Sequence, residues 1–358
     1  MQGLMMDYPL TVQHIFTRAT RYFPRKEVVT KTADGLHRYT YGDFGERTTR
    51  LASTLRSLGV QPGDRVGTFG WNTYRHLELY FAVPCMGAVL HTLNIRLFTE
   101  QLEFVINDAE DKVIVVDADL LPLLEKLAGR MPTVRAFIVM GKPAEPTRLA
   151  PAYDYEALLA SSPARYDWPT LDENDAAAMC YTSGTTGNPK GVVYSHRSTF
   201  LHSFGACLTD SLGVCERDTV MPVVPMFHAN AWGLVYTAAL IGSPLVLPGP
   251  RLDAVSVLDL LAGERVTITA GVPTVWMAVL AALVGAGLVL PGSRLDADSV
   301  LELLQARRVT ITAGVPTVWM ALLAAYRELL FGREGGGGTA HARYRGERRR
   351  FRHPPGVQ

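Results

Sequence analysis

Groups that a polyphosphate ligand needs are concentrated in residues 181–192, Tyr-Thr-Ser-Gly-Thr-Thr-Gly-Asn-Pro-Lys-Gly-Val. These twelve positions hold three glycines, four serine or threonine hydroxyls and one lysine. Glycines let the backbone approach a ligand closely, exposed N–H groups form a concave anion site, hydroxyls donate to phosphate oxygens, and the ammonium adds a point charge. The segment therefore predicts a phosphate-binding loop.

Other Gly-rich motifs do not fit this segment. No Gly-Lys-Ser or Gly-Lys-Thr closes it, as a Walker loop requires, and it lacks the Gly-x-Gly-x-x-Gly pattern of dinucleotide sites. The remaining alternative is a featureless linker rich in Gly, Ser and Thr. Apolar residues 176–180 before the segment and 191–194 after it disfavour a linker.

The same string resembles the phosphate-binding signature of adenylate-forming (AMP-binding) enzymes. Further segments resemble bacterial long- and medium-chain fatty-acyl-CoA synthetases, namely residues 63–66, 81–84, 87–92, 94–97, 193–197 and 225–228. The resemblance covers roughly residues 5–326, with one copy of an internal repeat counted as surplus.

The resemblance implies a two-step ligase reaction. A fatty carboxylate attacks the α-phosphate of Mg-ATP to give acyl-adenylate and pyrophosphate, and the thiol of coenzyme A then displaces AMP. ATP, Mg²⁺ and coenzyme A are therefore the expected cofactor and co-substrates. The residues expected to bind the β- and γ-phosphates are Thr182, Ser183, Gly184, Thr185, Thr186, Gly187 and Lys190. Thr186 also matches the threonine that helps to place Mg²⁺ in this family.

His228 matches a family histidine that lies close to the acyl carboxylate and the adenylate, and it is the predicted catalytic residue. A histidine in an apolar segment can equally be a core residue, and the motif favours function. Trp232 resembles the aromatic gate of long-chain members, with core packing as the alternative. The predicted wall of the acyl tunnel is Val272, Pro273, Thr274 and Trp276, although residues 315–319 duplicate that motif.

Several family motifs are missing from this sequence. They are the Gly-rich adenine-binding stretch, Tyr-Gly-x-Thr-Glu with its magnesium glutamate, Thr-Gly-Asp with its ribose aspartate, and the C-terminal domain with the catalytic lysine. No lysine follows Lys190. Because losing one preorganised charged contact typically costs about 100- to 1000-fold in rate, we expect the chain alone to be severely impaired. The alternative is a non-catalytic ATP- or acyl-binding fragment, or a pseudogene product.

Helical and strand signals alternate along the first part of the chain. Helices are predicted at 41–58, 74–87, 99–108 and 120–129, and strands at 65–70, 88–93, 112–116 and 136–140. The strands are continuously apolar, which is typical of a parallel sheet covered on both faces by helices. Residues 141–170, rich in Pro, Ala and Ser, are predicted to be a connecting surface segment. The expected fold is α/β, a truncated N-terminal domain of the acyl-CoA synthetase fold.

Residues 240–282 are repeated as residues 283–325, with 33 identities in 43 positions. Each copy predicts a βαβα unit, with its first helix starting at Asp253 or Asp296. Two copies are fewer than solenoid folds need, so a recent duplication inside an incomplete AMP-binding domain, residues 1–326, is the preferred interpretation. We expect only one copy to occupy the native position.

Residues 332–358 hold four consecutive glycines, seven arginines and almost no aliphatic side chains, so they predict a disordered tail. No aromatic platform accompanies the arginines, which disfavours a nucleic-acid partner.

The amino-acid composition indicates which kinds of site and which cellular compartment to expect for this protein. Four scattered cysteines predict neither a zinc site nor a disulfide framework, and together with the lack of a signal-like N-terminus they favour the cytoplasm. Residues 266–293 are uncharged but are interrupted by proline and glycine, so no integral membrane segment is expected. Small-molecule substrates are the expected partners, and a homodimer is left open.

Overall fold

The structure is a computed structural model that describes residue 5 and residues 8–182 and 188–283. Three predictions therefore fall outside the described residues: the phosphate-loop residues Ser183–Gly187, the second repeat copy beyond Leu283, and the tail at 332–358. The first compact unit is Met1–Val272, and the residues from Pro273 onward belong to a second unit.

The secondary structure alternates as predicted. The strands are β1 (Glu27–Thr32), β2 (Gly35–Thr40), β3 (Arg65–Phe69), β4 (Val89–Thr92), β5 (Val113–Asp117), β6 (Ala136–Met140), β7 (Ala152–Asp154), β8 (Ala176–Thr182), β9 (Lys190–Ser195), β10 (Val220–Pro222), β11 (Leu245–Leu247) and β12 (Ile268–Ala270). The helices are α1 (Val12–Tyr22), α2 (Tyr41–Ser57), α3 (Tyr74–Cys85), α4 (Thr99–Asp108), α5 (Leu121–Leu124), α6 (Tyr155–Ser161), α7 (His196–Ala206), α8 (Ala229–Trp232), α9 (Leu234–Ile241), α10 (Ala254–Gly263) and α11 (Pro273–Leu283).

Two sheets organise the first unit. The seven-stranded sheet has the order β7-β6-β5-β3-β4-β8-β9, and the five-stranded sheet has the order β12-β10-β11-β1-β2. Neighbouring strands are parallel except in the hairpins β1–β2 and β8–β9. Strands β4, β5 and β6 are buried along their whole length, which explains their continuous apolar sequence. The predicted α/β fold with parallel sheets flanked by helices is confirmed.

Residues 141–170 are a correction to the sequence interpretation. They were predicted to be a connecting surface segment, but they contain the edge strand β7 and the helix α6, in which Tyr155 is fully buried. Asp154 starts α6 by accepting a hydrogen bond from the Ala157 N–H at 2.7 Å. The helix has only seven residues and two buried side chains, Tyr155 and Leu159, so its periodicity does not stand out in the sequence.

The first repeat copy has the predicted βαβα order, β11, α10, β12 and α11. Asp253 caps α10 by accepting from the Ser256 N–H at 3.0 Å, as its position before the helix indicated. The duplication itself, and the assignment of residues 1–326 as one incomplete domain, stay predictions.

Helix α3 is the centre of the core. Eleven of its twelve residues are buried, so it is enclosed around most of its circumference rather than along one stripe. It packs against α1 and α2 and also against strands of both sheets, namely β1, β3, β4 and β8. The two sheets thus share one helix, and that helix fixes the distance between them.

A buried ion network ties α3 to α2 and α6. The Glu78 carboxylate on α3 is fully buried, and it accepts from Arg47 Nε at 2.7 Å and from the Tyr155 hydroxyl at 2.6 Å. Arg47 also donates to Glu156 at 2.9 Å, and Arg75 donates to the same carboxylate at 2.7 Å. Burial raises the pKa of the Glu78 carboxyl, and the Arg47 guanidinium opposes that shift. The network is electrically balanced only while Arg47 is present.

We predict that Arg47→Ala lowers the free energy of unfolding by about 3–5 kcal/mol, because it leaves the Glu78 charge buried without its cation. Arg165→Ala is the matched control, since that side chain is 86% exposed and lies 3.9 Å from its partner Asp167; its cost should stay below about 0.5 kcal/mol. Urea denaturation of both variants measures the difference. Equal losses for Arg47→Ala and Arg165→Ala would contradict the role given to this network.

Candidate functional site

The hairpin β8–β9 presents the predicted phosphate loop. Thr182 and Lys190 form the last pair of the hairpin register, so residues 183–189 are the loop that joins the two strands. The Thr182 hydroxyl is directed at the Lys190 carbonyl at 3.5 Å, and both side chains are exposed. The structure thus places Thr182 and Lys190 together at one end of the hairpin, with the ammonium available to a ligand.

Strand β8 ends at Thr182, at the edge where the neighbouring parallel strand also ends. Strand β8 pairs with β4, with Thr92 opposite Cys180, so the carboxyl ends of both strands lie side by side. In parallel α/β sheets, ligands bind in the crevice outside the carboxyl ends of the strands. This edge is therefore the expected position of a ligand in this fold.

His228 reaches the same edge from the five-stranded sheet. It follows β10 by six residues, its N–H donates to the Pro225 carbonyl at 3.0 Å, and its side chain is exposed. The next residues, Ala229–Trp232, form α8, a single turn whose backbone is left-handed. The values of φ run from +42° to +54°, and Gly233 follows at +68°.

A left-handed turn of four non-glycine residues is strained, because Cβ crowds the following carbonyl oxygen at a cost of about 1–2 kcal/mol per residue. Three contacts stabilise it. The Thr92 hydroxyl donates to Asn230 Oδ1 at 3.1 Å, His202 Nε2 donates to the Trp232 carbonyl at 3.0 Å, and the Ala229 N–H is directed at the Cys180 sulfur. Thr92 and Cys180 belong to β4 and β8, so the turn after His228 is docked on the strand that opens into the phosphate loop.

Gly233 closes this turn for a steric reason. Besides its positive φ, a Cβ at this position would stand 2.4 Å from His202 Cδ2. The imidazole of His202 therefore lies directly against the backbone that it holds. Sequence reasoning missed His202, Thr92 and Asn230; the available signal was Asn230, since asparagine tolerates positive φ better than other residues with a Cβ.

The predicted acyl-binding residues are only partly assembled by the described structure. Trp232 lies in the left-handed turn and is 41% exposed, so it is not a core residue here. Val272 follows β12 at the end of the first unit, whereas Pro273, Thr274 and Trp276 begin α11 of the second unit. The tunnel formed by these five residues stays a prediction.

Asp117 is a buried carboxyl at the same strand edge. It ends β5, is 7% exposed, and accepts from the Trp71 N–H at 2.8 Å. Burial raises its pKa from 3.8 to about 7, and the hydrogen bond from Trp71 opposes the shift. A side chain at residue 70 would stand 2.9 Å from the Asp117 carboxylate, so Gly70 is required for this close approach.

Metal and membrane sites can be assessed for the described part of the chain. Within residues 8–182 and 188–283, no group of three or more His, Cys, Asp or Glu side chains is arranged to hold a metal ion. The predicted Mg²⁺ ligand Thr186 lies outside that part. None of the helices described is long and apolar enough to cross a membrane.

Comparison with known proteins decides the family. The family described as AMP-binding enzyme matches residues 16–283. The chain belongs to the AMP-binding enzyme family. The family predicted from residues 181–192 is thereby confirmed.

Two curated relatives are similar to this chain over most of its length. It is 51% identical over 278 residues to a long-chain-fatty-acid–CoA ligase of Thermus thermophilus, covering 77% of this chain and 50% of the relative. It is 46% identical over 283 residues to a medium-chain-fatty-acid–CoA ligase of Ectopseudomonas oleovorans, covering 78% of this chain and 52% of the relative. The chain spans about half the length of these curated relatives.

A solved structure supports the fold. The crystal structure of the anthranilate CoA ligase AuaEII in complex with anthranoyl-AMP superposes on this chain with a TM-score of 0.69. The superposition covers 78% of this chain and 53% of the AuaEII chain. At 23% sequence identity, this likeness shows the fold alone.

We predict that Ala229→Gly raises the free energy of unfolding by about 0.5–1 kcal/mol, because glycine adopts positive φ without the steric cost that alanine pays. Ala157→Gly is the matched control, since this exposed alanine lies in the right-handed helix α6. The free energy of unfolding of Ala157→Gly should fall by about 0.5–1 kcal/mol. Urea denaturation reports both, and a loss for Ala229→Gly as large as that for Ala157→Gly would show that residue 229 is not strained.

A second prediction concerns pH. The Asp117 pKa is higher in the folded chain than in the unfolded chain. The protonated carboxyl therefore adds to the free energy of unfolding in full below about pH 4, and this stabilisation is lost as the pH rises through 7. Asp117→Asn removes the titration, so its unfolding free energy should fall less than that of the unsubstituted chain between pH 4.5 and pH 8. The difference should be about 3 kcal/mol. Parallel curves for the Asp117→Asn and unsubstituted chains would refute the assignment.

Proposed function

We propose that this chain carries the ATP- and acyl-binding elements of a fatty-acid–CoA ligase acting on a medium- or long-chain fatty acid. The observation that supports this most directly is the docking of the His228 turn on β4 and β8. It brings the predicted acyl-adenylate contact to the strand whose end opens into the predicted phosphate loop. The names of the two relatives, at 46% and 51% identity, support the substrate class.

The proposed first step transfers the adenylyl group to the fatty carboxylate. A carboxylate oxygen attacks the α-phosphorus of ATP, the bond to the bridging oxygen breaks, and pyrophosphate leaves with its electron pair. The loop N–H groups, the hydroxyls of residues 182–186 and the Lys190 ammonium would stabilise the negative charge that builds on the leaving group. Mg²⁺, held in part by Thr186, would screen the phosphate charges when bound.

His228 has the proposed role of contacting the acyl carboxylate and the adenylate. The exposed imidazole stands on a backbone turn that is fixed on both sides, which suits a group that must hold a reacting atom in place. Trp232, four residues further on and 41% exposed, is placed to contact an apolar chain. In the proposed second step, the thiol of coenzyme A displaces AMP.

The second candidate function is a non-catalytic ATP- and acyl-binding fragment. It is considered because the chain spans about half the length of the curated relatives that it matches.

Lys190→Ala is predicted to weaken Mg-ATP binding by about 10- to 100-fold, because a charge-assisted contact to phosphate contributes about 1.5–3 kcal/mol. Isothermal titration calorimetry measures the effect. AMP lacks the β- and γ-phosphates, so its affinity should change less than twofold. Lys142→Ala, at an exposed lysine remote from the hairpin in sequence, is the matched control and should bind ATP as the unsubstituted chain does. Equal ATP affinity for Lys190→Ala and Lys142→Ala would contradict the proposed loop function.

Pyrophosphate release separates the two candidate functions. Release that depends on octanoate or palmitate supports the ligase, whereas ATP binding without release supports the binding fragment. No ATP binding by the folded chain would reject both.

A further inference from the structure

Asn72 occupies the position where the two sheets meet. It follows β3, whose neighbours in the sheet are β4 on one side and β5 on the other, so the chain order reverses here. Such switch points leave a crevice at the carboxyl ends of the strands. In this chain Asn72 contacts residues 222–226, the last residue of β10 and the loop that follows it, and Asn72 is 5% exposed there.

The side chain of Asn72 uses all of its hydrogen-bonding groups on that segment except one acceptor lone pair. Its amide nitrogen donates to the Pro222 carbonyl at 3.0 Å and to the Val224 carbonyl at 2.9 Å. Its amide oxygen accepts from the Met226 N–H at 2.7 Å. Its backbone carbonyl accepts from the Gly249 N–H at 3.0 Å, which adds the loop after β11.

These contacts fix the chain immediately before His228. Met226 lies two residues from His228, and the Tyr80 hydroxyl holds the Met226 carbonyl from α3. The N–H groups of Val223 and Val224 both donate to the Ala270 carbonyl at 2.8 Å, on the β12 side of the segment. Asn72 is therefore the group that satisfies this segment from the side of the seven-stranded sheet, where the phosphate loop emerges.

We propose that Asn72 is a positioning residue for His228. By holding three backbone groups of residues 222–226, it sets the position of the imidazole, which follows β10, relative to the end of β8 at Thr182. The claim about catalysis rests on the function proposed above, but the claim about the position of His228 does not.

The experiment uses the full chain labelled with ¹³C at histidine Cε1, with the His228 resonance assigned by its loss in His228→Gln. Asn72→Ala should shift or broaden the His228 resonance while leaving that of His14 in place. Asn107→Ala is the matched control. Asn107 lies on α4, and its Nδ2 donates to the Arg130 carbonyl at 3.0 Å, so it makes a comparable hydrogen bond outside residues 222–226. It should leave the His228 resonance unchanged. An unchanged resonance in folded Asn72→Ala would overturn the proposal.

Binding measurements test the consequence for function. A non-hydrolysable acyl-sulfamoyl adenosine with an octanoyl chain should bind Asn72→Ala about 10-fold more weakly or worse, whereas Mg-ATP affinity should change less than threefold. A merely structural role would weaken both ligands alike. If the unsubstituted chain does not bind the analogue, the proposed function fails, and the resonance of His228 still decides the role of Asn72.

A second variant, and a measurement on the unsubstituted chain, keep the proposal testable if Asn72→Ala does not fold. Asn72→Asp fills the same space and keeps an acceptor for Met226, but it lacks both donors, so it should shift the His228 resonance as Asn72→Ala does. In the unsubstituted chain, hydrogen exchange of the Met226 amide should be slowed at least 100-fold relative to an open chain. A Met226 amide that exchanges freely would overturn the proposal even if neither variant folds.

Discussion

The whole site depends on satisfying the backbone polar groups of residues 222–226, which lie buried between two sheets. A buried N–H or carbonyl without a partner costs about as much as a lost hydrogen bond or more, and a loop has no regular ladder to supply partners. Here the partners come from outside the loop. Asn72 serves one side and Ala270 the other, and Tyr80 on the shared helix α3 serves the end of the segment. The position of His228 is thus a consequence of hydrogen bonding between elements that are far apart in the sequence.

The left-handed turn shows how strain is concentrated beside the candidate reacting groups. Four consecutive residues with positive φ cost several kcal/mol together, and they persist only because the surroundings determine them. Thr92 and His202 hold the turn at Asn230 and Trp232, and the Ala229 N–H faces the sulfur of a buried cysteine on β8. Burial raises the pKa of that Cys180 thiol, so it remains a neutral packing group there.

Charged groups are divided between two regions of the chain. Two fully buried carboxylates are paired: Glu78 with Arg47 at 2.7 Å, and Asp111 with His91 at 2.9 Å. Burial raises the pKa of the Asp111 carboxyl, and the contact with His91 opposes the shift. Lys190, at the carboxyl edge of the strands, is instead exposed. Buried charges need a partner to offset their desolvation, whereas a binding site keeps its charge accessible for the ligand.

Local pattern was enough to predict the parallel sheet. Strands β5 and β6 could be predicted because both faces are buried, so their residues are apolar without interruption. The roles of His228 and Trp232 came from the family resemblance rather than from spacing. The family itself was also determined by the sequence, since residues 181–192 combine glycines, hydroxyls and a lysine that few loops share.

Only the tertiary structure decided how these pieces meet. Asn72 and Met226 are 154 residues apart, and Thr92 and Asn230 are 138 apart, so no local periodicity could pair them. The helix α6 escaped prediction for a related reason, because Tyr155 and Glu156 take their importance from partners on α2 and α3. Local sequence specifies helices, strands and turns through neighbouring residues, whereas the site arises where two sheets bury each other's loops and every polar group must find a partner.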